Sequence, residues 1–430
     1  MNVRAVLNAA AKLYRPVASH DAAGAGTPPP ATGNLPSVVF KKPRWRACAT
    51  TVAAAIVTIV FARVASFAPA SVEQYYVNGV GATFARTLST ISGVVPFSIA
   101  EPIMFLFACW LVLPAIPALV TYIQGRRGMR NAVECGAARS ITAACFLVVF
   151  FYAGWGLNYS RAALHTRLDW DDSSLAVLPR LGSSSERDEL VALCTQLVFV
   201  TNHYYTIATG TPHSETHSTP RASLRDLDHA LDIGYERATN LLCLDKSFAT
   251  ARGPAKPVLA SRVISRLGIA GFYSPFTGEA NYNRDMSAFQ IVHTIAHEKA
   301  HQRCIANEDE ANFLGFLACV LSDDPYARYA GYLFAQRQLM GELIKIDPAA
   351  VGALVTLRCK GVQSDVTYSK IFWHLYGGPA QNFGHAMNDA YLKANRVEGG
   401  AFSYQMSARL LVLLARKHGG TCVLEIPSAA

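Results

Sequence analysis

Charged residues are scarce in this chain of 430 residues. Asp, Glu, Lys and Arg make up only 16% of it, while hydrophobic residues make up 51%. That balance argues against a wholly soluble protein and indicates membrane segments. The ten cysteines include no C-x-x-C pair, which excludes the spacing of cysteine-based zinc fingers. Basic and aromatic residues are not interleaved, so the net charge of +9 does not indicate nucleic-acid binding.

Long apolar runs are confined to the first third of the chain. Three of them, about residues 47–67, 97–123 and 137–157, are long enough to cross a bilayer. Basic residues lie before the first run, at 41–46, and between the second and third, at 126–130. Because positive flanks stay in the cytoplasm, three crossings from an inside N-terminus predict that the following residues lie outside the cytoplasm.

These features predict three parts. Residues 1–44, rich in Ala, Gly and Pro, are expected to be a disordered cytoplasmic tail. Residues 45–157 are expected to form a three-helix transmembrane region. Residues 158–430 are expected to form an extracytoplasmic domain that is mainly helical. Residues 184–207 and 221–244 have helical apolar spacing with few breakers, and helices are also predicted at 326–346, 381–396 and 402–417. Residues 268–283, rich in Gly, aromatic residues and Asn, predict a small β element.

The most specific motif is H-E-x-x-H at residues 297–301, within a stretch of helical spacing that lacks Pro and Gly. Positions i and i+4 share one face of a helix, so His297 and His301 can reach one Zn²⁺. Glu298 would lie beside the metal as the general base of a metallopeptidase. Two well-packed histidines on an interior helix would be the purely structural alternative.

A catalytic zinc site needs a third protein ligand. Residues 308–312, E-D-E-A-N, resemble the E-x-x-A-D helix that supplies a glutamate ligand in many gluzincin metallopeptidases. The resemblance implies Glu308 as third ligand, with Glu310 as the alternative. The family has Asp where this chain has Asn312, which puts the hydrogen bond from that position to a ligand histidine in doubt.

Other residues near the motif have two interpretations each. His293, one turn earlier, is either a ligand or a packing group. Residues 271–281 form either an edge strand that holds a peptide by backbone pairing or a structural turn. Trp155 and Tyr159 are expected to mark the outer membrane interface. Cys304 is a spectator, or a thiol that disturbs or closes the metal site.

Three blocks together resemble bacterial domain-of-unknown-function family 3810, whose members are predicted membrane-bound metallopeptidases. They are G-W-G-L-N-Y-S-R at 154–161, the Gly-rich aromatic block at 268–281, and residues 296–313, which include both helix motifs. The resemblance covers about residues 50–415. It implies a zincin-like metallopeptidase domain on a multi-pass anchor in the bacterial cytoplasmic membrane, and it specifies no substrate.

The expected function is therefore a membrane-anchored zinc metallopeptidase that hydrolyses peptide bonds outside the cytoplasm. Its partners would be a peptide or protein substrate and the lipid bilayer, with no nucleic acid. The alternative is a non-catalytic envelope binding or assembly protein with a structural or degenerate zinc site. An intramembrane protease fits less well, because Lys299, Gln302 and Arg303 make the motif helix too polar for a spanning segment.

Overall fold

The computed structural model describes residues 44–113, 116, 129–170, 184–395 and 407–425. It is mainly helical with little sheet, as the sequence predicts. The α-helices, in chain order from α1 to α17, are Trp45–Ala65, Pro69–Ser71, Ala82–Gly93, Ala100–Val112, Met129–Gly154, Leu164–Arg167, Ser184–Thr209, Leu224–Leu241, Lys246–Ala249, Ser261–Arg266, Ala288–Gln302, Glu308–Val320, Pro325–Leu343, Pro348–Thr356, Lys360–Leu375, Pro379–Ala394 and Ser407–Lys417. A π-helical stretch, Val72–Gly81, joins α2 to α3, and a 3₁₀ turn, Gly156–Ser160, follows α5.

Two helices of the described residues, not three, are long and apolar enough to cross a membrane. They are α1 and, within α5, Val133–Gly154. The second predicted span, 97–123, begins with the apolar helix α4, but α4 has only 13 residues. Residues 114–115 and 117–128 lie outside the described residues. Only part of the three-span prediction is therefore supported. The predicted tail also lies outside them, apart from Arg44, which precedes α1.

The small β element is a three-stranded sheet with the order β1-β3-β2. Strand β1 is Lys256–Pro257, β2 is Gly271–Ser274 and β3 is Glu279–Tyr282. Strand β3 pairs in parallel with β1 and antiparallel with β2, with Phe272 opposite Asn281. Both β2 and β3 pack on helix α11, which carries the H-E-x-x-H motif. The sheet therefore flanks the motif helix on one side.

The core of the C-terminal part surrounds helices α11 and α12. From Phe313 onward helix α12 is apolar on all sides, with Phe313, Leu314, Phe316 and Leu317 fully buried. It packs against α8, α11, α13 and α17, as expected for a helix without a polar face. Gly234 of α8 allows a close crossing, because a Cβ there would lie 1.9 Å from the carbonyl oxygen of Ala318.

The carboxylates of Glu279 and Glu73 join the N-terminal helices to the C-terminal part. Glu279 of β3 accepts hydrogen bonds from Lys256 Nζ at 2.6 Å and from the backbone amides of Ile99 and Ala100, at the start of α4. Arg161 makes a two-pronged pair with Glu73, at 2.7 Å for each bond. A buried charge that loses its partner is strongly destabilising. Residues 158–430 in isolation would expose or orphan these groups, so tests of function need the full chain.

Candidate metal centre

The H-E-x-x-H motif occupies the last turn of helix α11. Nearly the whole helix is buried, from Phe289 to Gln302 apart from Gln290. The helical repeat places the imidazoles of His297 and His301 on one face, as the spacing predicts, with their Nε2 atoms 3.1 Å apart. Two imidazole nitrogens this close, turned to the same point, form one half of a possible metal site.

Helix α12 brings a carboxylate to the same point. After α11 the chain reverses direction through residues 303–307, and Glu308 is the first residue of α12. Its Oε2 lies 3.0 Å from His297 Nε2 and 3.6 Å from His301 Nε2. The ligand atoms of these three side chains all lie within 4.8 Å of one another, so they could hold one metal ion.

The other nitrogen of each imidazole is held by a hydrogen-bond acceptor. His297 Nδ1 lies 2.9 Å from the Oδ1 of Asn312, and His301 Nδ1 lies 2.6 Å from the carbonyl oxygen of Ile305. Both contacts favour the tautomer with a proton on Nδ1, which leaves Nε2 to bind a metal. The doubt that the sequence raised about Asn312 is resolved, because an amide oxygen accepts the same hydrogen bond as a carboxylate.

Glu310 has a different place from Glu308. Its Oε1 accepts a hydrogen bond from the amide of Leu164 at 2.8 Å, and its Oε2 pairs with Arg167 at 3.1 Å. Asn307 also donates to it at 3.1 Å. These bonds hold the first turn of α12 against the segment that follows α5. Of the two glutamates left open by the sequence, the structure brings Glu308 to the histidines.

Neither His293 nor Cys304 joins the three-residue cluster. The ring of His293 stacks on Phe334 with centroids 3.7 Å apart, and burial lowers the pKa of His293 to about 3. Cys304 is buried in a separate small core with Val72, Val77 and Ala85. Among the described residues that could ligate a metal, only three side chains therefore meet here.

Glu298 lies beside the cluster but is not part of it. Burial raises its pKa to about 7, although His297 and His301 act in the opposite direction. Its Oε2 is buried without a hydrogen-bond partner. Its Oε1 faces Gly271 of β2, where a Cβ would approach to 2.8 Å. A carboxylate with a pKa near neutrality can both accept and donate a proton at physiological pH.

The strand beside Glu298 is an edge of the sheet. Strand β2 pairs with β3 on one side only, and among the described strands none pairs with its other side. The residues 271–274 thus have the placement that the edge-strand interpretation requires. Whether they hold a peptide stays a prediction.

Aromatic residues lie around His301 and Glu308. Trp155, expected at the membrane interface, directly follows α5 and is buried, and its ring meets His301 edge-on with centroids 6.1 Å apart. Tyr273 packs on Trp155 at 4.7 Å. Tyr391 interacts electrostatically with Glu308, and burial raises the pKa of Tyr391 to about 12. Trp155 belongs to the sequence block at 154–161. Because this block follows an apolar run, the sequence alone did not indicate that Trp155 contacts His301.

Charges on the opposite side of α11 fix the helix in place. Lys299 is fully buried and pairs with Asp228 at 2.9 Å and Asp232 at 3.1 Å. Arg303 pairs with the same Asp232 at 2.6 Å. These pairs satisfy the polar residues of the motif helix inside the protein. The helix is thus a core element rather than a membrane span.

The electrostatics of the cluster suit a divalent cation. Burial would raise the pKa of Glu308, but His301 and His297 hold it far below its ordinary value. Burial would lower the pKa of His301, but Glu308 raises it to about 9. Two imidazoles and one carboxylate, with an unpartnered carboxylate nearby, match the ligand set that Zn²⁺ prefers in catalytic sites. The residues present therefore fit a zinc ion.

A comparison with known protein families supports the resemblance noted in the sequence. The family model described as "Protein of unknown function (DUF3810)" matches residues 76–412. No curated protein and no solved structure matches the chain. The match includes both helix motifs, both strands that flank the site and the helix α5 that precedes Trp155. Because it covers more than half of the chain, the protein belongs to the DUF3810 family.

Proposed function

We propose that this protein is a membrane-anchored, zinc-dependent metallopeptidase that hydrolyses peptide bonds outside the cytoplasm. The observation that carries the proposal is the convergence of His297, His301 and Glu308 from two successive helices, with Glu298 beside them. Three protein ligands leave a coordination position open, as catalysis requires, whereas structural zinc sites have four. The position of Cys304 in a separate core argues against a closed site.

A Zn²⁺ ion bound here would supply Lewis-acid chemistry: it would acidify a water molecule and polarise a substrate carbonyl. Glu298 takes the proton as the water attacks the carbonyl carbon, and then gives that proton to the leaving amine. Asn312 and the Ile305 carbonyl keep the two imidazoles oriented throughout. The open edge of β2 would align an extended peptide chain next to Glu298.

The membrane anchor and its orientation are part of the proposal. Helices α1 and α5 would cross the cytoplasmic membrane, and the region of α4 would supply a third crossing. Reporter fusions test the orientation predicted by the basic flanks. A reporter after residue 165 should be active only outside the cytoplasm, and one near residue 128 only inside. The reverse pattern would contradict an extracytoplasmic domain.

The decisive experiment on activity compares Glu298→Gln with the unaltered full chain, purified in detergent. Glutamine keeps the size of the side chain but cannot accept the proton, so turnover of labelled casein and quenched fluorescent peptides should fall about 100-fold or more. The zinc content, measured by mass spectrometry, should not change. Glu342→Gln, which alters a carboxylate on α13 paired with Lys345 at the surface, is the matched control and should retain full turnover.

The outcomes separate the enzyme from the binding protein. Loss of zinc in Glu298→Gln would make Glu298 a structural partner of the site. Full biological activity of Glu298→Gln in the host, with zinc retained, would establish the non-catalytic envelope protein instead, because the motif contains no other base. Absence of zinc from the purified unaltered chain would refute the metallopeptidase and a structural zinc site, and would leave only the non-catalytic protein with a degenerate site.

A further inference from the structure

Helix α16 has an apolar face that other described elements cover only at its Tyr391 end. Its domain side carries Gly384, where a Cβ would lie 2.1 Å from the carbonyl oxygen of Leu267, and the fully buried Leu392. A second face carries Phe383, Met387 and Tyr391, which recur every four residues and are 63%, 50% and 41% exposed. Large apolar side chains in a row on an exposed helix mark an interaction surface.

The third face of α16 is polar. It carries Asn382 and Ala386, both exposed, and Asp389, which pairs with Lys393 at 2.7 Å. The helix thus has one side packed on the protein, one exposed apolar side and one exposed polar side. This three-way division is expected of a helix that lies in the boundary between a membrane and water.

The C-terminal end of α16 reaches the end of the candidate span α5. The ring of Tyr391 lies 6.1 Å from that of Phe151, and its hydroxyl lies 3.1 Å from the hydroxyl of Tyr159. Asn395 lies 3.5 Å from the hydroxyl of Tyr152. The apolar face of α16 is therefore continuous with the end of a helix that is long and apolar enough to cross a bilayer.

Helix α10 and the two residues before it link the same surface to the apolar helix α4. Glu101, in the first turn of α4, accepts hydrogen bonds from the amides of Leu259 at 2.8 Å and Ala260 at 2.9 Å. The side chains of Leu259 and Val263 are more than half exposed. Because α10 packs on α16, the two exposed apolar faces belong to neighbouring helices.

A third contact comes from the turn between β2 and β3. Phe276 is 38% exposed and stacks on Phe150 of α5 with centroids 5.3 Å apart. Exposed apolar side chains thus lie on elements that contact the domain-side ends of both α4 and α5. We name this set the apolar rim, and its members are Leu259, Val263, Phe276, Phe383, Met387 and Tyr391.

We propose that the apolar rim is embedded in the bilayer leaflet nearest to the C-terminal domain. The proposal rests on the membrane insertion of α1 and α5 proposed above. Continuity with α4 and α5 selects lipid as the occupant, since side chains just beyond the end of a span lie at the depth of the head groups and upper acyl chains. The rim would hold the candidate metal centre at the membrane surface, because Trp155 directly follows α5 and contacts His301.

Tryptophan fluorescence in proteoliposomes tests the proposal. Met387→Trp reports on the rim, and Ala386→Trp, one residue away on the polar face, is the matched control. Ile56→Trp, in the middle of α1 and exposed on the helix surface, reports on membrane insertion itself. The emission of the five native tryptophans, measured on the unaltered chain, is subtracted. Lipids brominated on the upper acyl carbons or near the chain ends serve as quenchers.

We expect the added emission of Met387→Trp to be blue-shifted and largely lost with lipids brominated on the upper acyl carbons. Ala386→Trp should keep its emission, and Ile56→Trp should lose it with deep bromination. Phe383→Trp, an aromatic-for-aromatic change, should repeat the result for Met387. If Phe383→Trp and Met387→Trp are not quenched but Ile56→Trp is, the membrane insertion of α1 stands and the embedding of the apolar rim is refuted. If the unquenched emission is also blue-shifted, protein rather than lipid covers the rim. Unquenched emission of Ile56→Trp would refute the membrane insertion and the rim with it.

Discussion

The hydrogen bond between Asn312 and His297 gives the sharpest quantitative prediction for the metal centre. The bond is 2.9 Å long and buried, and Asn312 Oδ1 is the acceptor that holds the imidazole. In Asn312→Ala, the Nδ1–H of His297 loses this partner, and a buried donor without an acceptor costs about 1–3 kcal/mol. Loss of such a support typically weakens metal binding about 10–100-fold, equivalent to about 1.4–2.7 kcal/mol.

The assay is zinc competition with a chromophoric chelator on the full chain in detergent. Asn312→Asp replaces one acceptor oxygen with another and should keep the zinc affinity within a few-fold of the unaltered chain. Asn202→Ala, which removes an asparagine of α7 whose amide donates to the Leu357 carbonyl and does not contact the cluster residues, should not change the affinity. Thermal unfolding of each variant distinguishes a local effect from general loss of the fold.

Two results would refute this reasoning. The first is an Asn312→Ala variant that binds zinc as tightly as the unaltered chain, since the hydrogen bond would then not orient His297 for the metal. The second is an Asn312→Asp variant as weak as Asn312→Ala, since the position would then act through packing rather than as an acceptor. The carbonyl of Ile305 still orients His301 in every variant, so partial rather than complete loss is expected.

Three further predictions concern the ligands, the pH dependence and the fold. Glu308→Ala should remove bound zinc. Glu310→Ala should keep zinc but lower the thermal stability, because Glu310 bonds the segment after α5. If Glu310→Ala lost zinc and Glu308→Ala kept it, Glu310 would be the third ligand. Glu308 raises the pKa of His301 to about 9 in the absence of metal, so the His301 imidazolium must lose its proton when zinc binds. Zinc affinity should therefore rise about tenfold per pH unit from pH 7 toward pH 9. A zinc affinity that does not change with pH in chelator competition would contradict this. Gly234→Ala should destabilise the chain by about 1–3 kcal/mol, because the new Cβ would press on the carbonyl oxygen of Ala318. Gly341→Ala, with nothing within 4 Å, should stabilise the chain by up to about 1 kcal/mol. Equal shifts of the two variants in chemical denaturation would disprove the packing argument.

Local sequence patterns determined the positions of several long helices, but they did not indicate α3, α14 or α15. The apolar spacing predicted helices at 184–207, 326–346 and 381–396, close to the observed Ser184–Thr209, Pro325–Leu343 and Pro379–Ala394. The fixed repeat of the helix placed His297 and His301 on one face before any tertiary contact was known. Local patterns suffice here because these features depend on residues within one or two turns of each other.

The tertiary structure decided what lies around that helix. The packing of α12 on α11 brings Glu308 to His297 and leaves Glu310 to pair with Arg167. The burial of Trp155 against His301 joins residues 146 positions apart, and no local pattern encodes that contact. The same holds for Glu279, whose carboxylate fixes a helix start 180 residues earlier. Sequence periodicity specifies the faces of an element, but contacts between distant segments depend on which faces pack together, and that is set by the free energy of the whole fold.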